Sequence, residues 1–156
     1  MSAGVLITGA ATGIGRATVI RLAHRGFTVF AGVRKPEDGE ALVSFAGPSV
    51  TPLILDVTDS FAIAEAAQTV ERTLAGEPLL GLVNNAGVAI AGPIEVLSPD
   101  DWQHQFEVNL FGPIAMIRTF LPLLRRRKGR IVNVSSISGK FATAFSAPYA
   151  SSKAFL

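Results

Sequence analysis

The chain has 156 residues, 49% of them hydrophobic and 17% charged, which suits one folded domain with a sizeable core and excludes a largely disordered chain. The formal charge of +2 calls for no nucleic acid: the one dense cationic cluster, Arg125, Arg126, Arg127, Lys128 and Arg130, has no interleaved aromatics and suits a helix C-terminus. The chain contains no cysteine, which excludes disulfides, thiolate metal sites and a cysteine nucleophile, and fits a reducing, cytoplasmic setting.

The elements follow in chain order. Met1 to Gly4 carry no basic leader and run into a strand, Val5 to Thr8. A glycine-rich turn opens a helix from Gly13 to Arg25, and the second strand is Thr28 to Val33. A short helix, Glu37 to Phe45, precedes the third strand, Thr51 to Leu55. A helix from Ser60 to Ala75 leads to the fourth strand, Leu80 to Val83. Ser98 and Pro99 start the next helix, with serine as N-cap and proline at the first helical position. It runs to Arg127 with a kink between Asn109 and Pro113. Its apolar part, Val108 to Leu124, is interrupted by Asn109, Pro113, Arg118 and Pro122, so it reads as a buried or interface helix rather than a membrane span. Arg130 to Val134 is the fifth strand, and Pro148 opens a last helix.

The strands are short continuous apolar runs, as a sheet covered on both faces requires. Strand–helix alternation then predicts an α/β fold: a doubly wound parallel sheet, Rossmann-like, within a single nucleotide-binding domain over residues 1–156.

The turn Thr8-Gly9-Ala10-Ala11-Thr12-Gly13-Ile14-Gly15 lies between the first strand and the first helix. Glycines there let the backbone approach a pyrophosphate, and the helix N-terminus offers free N–H groups and partial positive charge. Gly9, Thr12, Gly13, Ile14 and Gly15 are therefore candidate cofactor ligands. In such folds an acid at the end of the second strand binds the ribose 2′-hydroxyl. Here that place reads Ala31-Gly32-Val33-Arg34-Lys35, and the guanidinium of Arg34 can fork onto a 2′-phosphate. NADP(H) is the preferred cofactor. NAD(H) stays possible if Glu37 or Asp38 turns to the ribose.

The glycine spacing, G-x-x-x-G-x-G after Thr8, resembles the short-chain dehydrogenase/reductase family. The resemblance implies that Asp56 and Val57 lie along the adenine. It implies that Asn85 supports the backbone beside the first strand, and that Ala86 and Gly87 leave room for cofactor. A simpler role for Asp56 is to cap a turn. Further, Gly32 to Lys35 and Gly139 to Thr143 resemble the retinol- and hydroxysteroid-dehydrogenase-like branch, which implies an apolar carbonyl or alcohol substrate.

Tyr149 and Lys153 are four apart at the start of the last helix and share one face. A phenol with a free pKa of about 10 becomes a usable acid and base when an ammonium favours its phenolate. It is also the chain's only tyrosine. Tyr149 can then exchange a proton with a carbonyl or alcohol oxygen while hydride moves to or from a nicotinamide, and both residues are candidate cofactor contacts as well. The resemblance assigns Ser136 as the hydroxyl that polarises the substrate carbonyl, with Ser135 its nearest competitor. It assigns Asn109 a backbone carbonyl that holds a water linked to Lys153. As plainer roles, the serines satisfy a strand end and Asn109 stabilises the kink. His24 and His104 read as surface or rim residues, and no metal site is predicted.

The family continues past the point reached at Leu156, so its last two strands and its substrate-covering segment are expected beyond that residue, with strand order 3-2-1-4-5 and an uncovered edge at strand five here. The helices from Val108 and from Pro148 resemble the pair that family oligomers pack together, which implies a homo-oligomer. Two other readings stay open: a nucleotide-binding scaffold without catalysis, and an epimerase or dehydratase, which the glycine spacing disfavours.

Overall fold

The computed structural model describes residues 3–156. The expectation of a leaderless start rests partly on Met1 and Ser2, which lie outside the described residues. Five strands form one parallel sheet: β1 (Gly4–Ile7), β2 (Thr28–Val33), β3 (Val50–Ile54), β4 (Leu79–Asn84) and β5 (Arg130–Asn133), in the order β3-β2-β1-β4-β5. The order reverses between β1 and its neighbours β2 and β4, which opens a crevice at the strands' C-terminal ends.

The apolar runs are explained by what lies on each face. Along β1, Leu6 points to one side and Val5 and Ile7 to the other; along β2, Phe30 opposes Val29, Ala31 and Val33. Helices α1 (Gly13–Ala23) and α2 (Pro36–Ala46) cover one face with Val19, Ala23 and Leu42. Helices α3 (Ser60–Leu74) and α5 (Gly112–Arg125) cover the other with Ile63, Val70, Met116, Phe120 and Leu124. Fully burying side chains of this size stabilises by about 1.5–3 kcal/mol each, so alternate residues of β1 and β2 hold the two layers together.

Strand β5 is the uncovered edge expected of strand five, and its exposure extends to its faces as well. All four of its residues are exposed, including Ile131 (38%) and Val132 (51%). It pairs with β4 alone, so its other edge has no neighbouring strand.

Helix α4 (Pro99–Phe106) starts as its sequence demands. Ser98 accepts from the Asp101 N–H while Asp101 accepts from the Ser98 N–H, a reciprocal capping box with Pro99 behind it. The kink expected between Asn109 and Pro113 is a π-helical turn, Glu107–Phe111, that joins α4 to α5. Pro113 has no N–H for the carbonyl four residues back, that of Asn109, so regular α-helical bonding cannot pass this point. The whole run, Pro99–Arg125, has 27 residues and is long and apolar enough by composition to cross a membrane. Its Met116, Phe120, Leu123 and Leu124 are packed in the core beside α3, while Phe111 and Ile114 are exposed. At its end, Arg126 pairs with Glu71 of α3 at 2.7 Å, which engages part of the cationic cluster within the chain.

Candidate active site

The glycine turn closes over the end of β1. Gly9 has φ +62°, and a Cβ there would lie 2.8 Å from the Ala86 Cα; a Cβ on Gly15 would lie 2.3 Å from the Gly9 carbonyl oxygen. Only hydrogen fits at either place. The turn is tied to the segment after β4 from both sides. Thr8 Oγ1 accepts from the N–H groups of Asn85 and Ala86, both at 3.0 Å. Asn85 Nδ2 donates to the carbonyls of Thr8 and Gly9, also at 3.0 Å, which is the support expected of Asn85.

Helix α1 begins with its N–H groups unclaimed by a side chain: Thr12 is the N-cap residue but makes no side-chain cap bond. First-turn N–H groups have no intrahelical partner, so this end can accept an anion. It opens into a cleft of about 780 Å³. Gly9, Thr12, Gly13, Ile14, Arg34, Asp56, Val57, Asn85, Ala86, Gly87, Tyr149 and Lys153 all line it. Gly15 lies beneath the turn, buried against Gly9 and Asn85.

At one end of the cleft stand Arg34, Lys35, Asp38 and Asp56. Asp56 does cap a turn, through Oδ1, which accepts from the Thr58 N–H at 2.9 Å and from Thr58 Oγ1 at 2.7 Å. It lines the cleft as well. Partial burial raises its pKa, but the Thr58 hydrogen bonds together with nearby Arg34 and His104 outweigh this and hold it below the ordinary carboxylate value. His104, expected at a surface or rim, is exposed at the rim of this cleft.

At the other end α6 (Ala147–Ala154) presents Tyr149 and Lys153. Lys153 is only 6% exposed, and its Nζ donates to the Val134 carbonyl at 2.9 Å. Burial pushes its ammonium below the ordinary lysine value. Ser135, not Ser136, is among the lining residues. Their hydroxyls differ in what they have left to offer. Ser135 Oγ donates its proton to the Lys153 carbonyl at 2.8 Å, whereas Ser136 Oγ accepts from the Ser138 N–H at 3.1 Å and keeps its own proton.

Asn109 is fully buried and does not reach the cleft. Its Oδ1 accepts from the Val88 N–H, and its Nδ2 donates to the Val88 carbonyl and to Ser152 Oγ. Ser152 in turn donates to the Tyr149 carbonyl, so Asn109 joins α6 to the segment behind β4. Sequence reasoning missed Gln105, also fully buried and bonded to Val88 and Ile90. The sign was there: two carboxamides four residues apart in a stretch that must pack. Among the described residues no three His, Asp or Glu side chains cluster as a metal site would need.

Residues 3–156 match the sequence model of the short chain dehydrogenase family. The chain is 41% identical over 139 residues to human retinol dehydrogenase 5 (Homo sapiens), covering 88% of this chain and 44% of that protein. It is 37% identical over 155 residues to the mitochondrial D-beta-hydroxybutyrate dehydrogenase of Rattus norvegicus, covering 96% of this chain and 45% of that one. The chain thus spans less than half the length of these relatives. A crystal structure of a short-chain dehydrogenase from Streptomyces avermitilis superposes with a TM-score of 0.89 at 33% identity, over 99% of this chain and 56% of that one. Serine dehydrogenase from Escherichia coli superposes equally well, with a TM-score of 0.89 at 32% identity, over 97% of this chain and 70% of that one. With nearly its whole length matched in sequence and in fold, the chain belongs to the short-chain dehydrogenase family.

Proposed function

We propose that the protein is an NAD(P)(H)-dependent oxidoreductase that interconverts a carbonyl and an alcohol, with Tyr149 as acid and base. One observation carries this reading: the uncapped start of α1 and the Tyr149–Lys153 pair line the same cleft. The residues fit a dinucleotide. Glycines that tolerate no Cβ form the cradle, α1 aims its N–H groups into it, and the cations Arg34 and Lys35 stand at one end.

In this reading Gly9, Thr12, Gly13, Ile14 and Gly15 hold the pyrophosphate, Asp56 and Val57 flank the adenine, and Asn85, Ala86 and Gly87 wall the middle. Bound nicotinamide supplies or accepts the hydride. During reduction Tyr149 gives its phenolic proton to the carbonyl oxygen; during oxidation it takes the alcohol proton back. Lys153, buried and fixed on Val134, holds positive charge near that phenol and favours its ionised form. Ser136, next in the chain to the lining residue Ser135, is the hydroxyl that polarises the carbonyl: its proton is uncommitted, while that of Ser135 is spent on Lys153. The backbone carbonyl of Asn109, which Pro113 cannot serve as a helix donor, is the acceptor for a water that relays protons to Lys153.

Arg34 and Lys35 favour NADP(H) through its 2′-phosphate; Asp38, in the same cleft, is the residue that would serve NAD(H). The substrate is a small carbonyl or alcohol, of apolar character by likeness to retinol dehydrogenase 5, and the working form is a cytoplasmic homo-oligomer. A fluorescence titration with NADPH and NADH side by side tests the assignment. The expected result is saturable binding that favours NADPH, with the preference reduced about tenfold in Arg34→Ala. A preference for NADH that disappears in Asp38→Asn would overturn the NADP(H) choice, and no binding of either would overturn the function.

A further inference from the structure

The stretch after β4, residues 85–93, has neither helix nor strand, yet Ala86, Gly87, Val88 and Ala89 form one wall of the cleft. A wall without a ladder needs other partners for its peptide groups. Two side-chain amides supply them. Gln105 Oε1 accepts from the Ile90 N–H at 2.7 Å, and Gln105 Nε2 donates to the Val88 carbonyl at 2.7 Å. Asn109 accepts from the Val88 N–H and donates to the same Val88 carbonyl, both at 2.9 Å. A carboxamide carries the donor and the acceptor of a peptide group, so the two side chains act together as a neighbouring strand would. Both are fully buried, where no bulk water can replace a lost bond.

The wall they hold has little slack. A Cβ on Gly87 would stand 3.3 Å from Asn109 Oδ1 and 3.4 Å from Lys153 Nζ. Movement at Val88 therefore changes the room between the wall and Lys153. Gln105 does not line the cleft, so whatever it does there it does through this segment.

We propose that Gln105 is a positioning residue for the nicotinamide half of the cleft: with Asn109 it clamps Val88 and Ile90 and so sets the spacing between that wall and Lys153. The proposal rests on the dinucleotide reading above. It assigns no such role for the adenosine half, to which the Gln105 side chain makes no hydrogen bond: among the described residues its partners are Val88 and Ile90 alone.

Two variants and two measurements test it. Gln105→Met keeps the volume and removes both hydrogen bonds; Gln105→Glu keeps an acceptor for Ile90 and, when ionised, has no donor for Val88. Amide hydrogen exchange at Val88 and Ile90 is measured alongside affinities for NADPH and for 2′,5′-ADP, which fills only the adenosine half. In Gln105→Met we expect fast exchange at Ile90, retained protection at Val88, and NADPH affinity down about tenfold with 2′,5′-ADP unchanged. Gln105→Glu should restore protection at Ile90. Unchanged exchange at Ile90 in Gln105→Met, or equal loss of both ligands, would show a merely structural residue and overturn the proposal. If Gln105→Met does not fold, an Ile90 amide left unprotected in Gln105→Glu overturns it, and a protected one with weakened NADPH binding supports it. Should the unaltered chain bind no nucleotide, the oxidoreductase reading falls, and exchange at Ile90 alone upholds or overturns the clamp.

Discussion

The starts of α1 and α4 present the same problem, a row of N–H groups with no helical partner, and the molecule treats them in opposite ways. At α4, Ser98 and Asp101 cap each other, and acids Asp100 and Asp101 occupy the first turn. At α1, Thr12 makes no cap and the first turn holds no acid. Capping is worth about 1 kcal/mol, so the bare end of α1 forgoes stability that its neighbour takes. The difference follows what each end faces. The α1 end opens into the cleft, and a cap there would occupy the place of the proposed pyrophosphate.

The largest effect is expected where the α1 turn has no room. Gly15→Ala would set a methyl 2.3 Å from the Gly9 carbonyl oxygen and 2.6 Å from Asn85 Nδ2. We expect a loss of about 3 kcal/mol or more in chemical denaturation and no measurable nucleotide binding. Native stability in that variant would mean that the turn yields easily and that the tight packing carries no constraint.

A middle-sized effect comes from making α1 resemble α4. Thr12→Asp places a capping carboxylate at the helix start. It should raise stability by about 1 kcal/mol while weakening NADPH binding at least about tenfold, because the carboxylate repels and displaces a pyrophosphate. Stability gained without any loss in a binding titration would break the contrast.

The smallest effect is expected at α4 itself. Ser98→Ala should lower stability by about 1 kcal/mol and leave nucleotide affinity unchanged. Hydrogen bonds from Ser98, chiefly its side chain and then its backbone, hold Asp101 below the ordinary carboxylate value of 3.8. A carboxylate with a depressed folded-state pKa stabilises above its unfolded value, and that contribution is lost as pH falls through the folded one. A small acid-side decline in melting temperature below about pH 4 should therefore be shallower in Ser98→Ala than in the unaltered chain. An identical pH profile would assign the depression to something other than the cap.

What could be read from the residues in order was what neighbours in the chain decide. The Ser98-Pro99 start needs only a side chain within three residues, and the structure has it as expected. The kink was legible for the same reason, since Pro113 cannot serve Asn109 whatever surrounds it, although its form as a π turn was not. Gln105 was legible only as a second carboxamide four residues before Asn109; its partners were not, because they lie 15 and 17 residues away in a segment with no periodicity of its own. Ser136 was preferred over Ser135 from the resemblance; what the sequence could not give is that Ser135 donates its proton to the Lys153 carbonyl, 18 residues on.

The strands show the same division. Apolar runs and glycine spacing determined a parallel α/β sheet with a glycine turn after its first strand, because backbone geometry and side-chain period are local properties. Gly4–Ile7 is buried throughout, whereas Arg130–Asn133 is exposed throughout, its apolar Ile131 and Val132 included. Only the packing decided that, since burial depends on which elements cover a strand and not on the strand's own residues. The cleft is likewise a tertiary product: Thr8 meets Asn85 across 77 residues, and that one meeting brings the glycine turn against the wall that faces Tyr149 and Lys153.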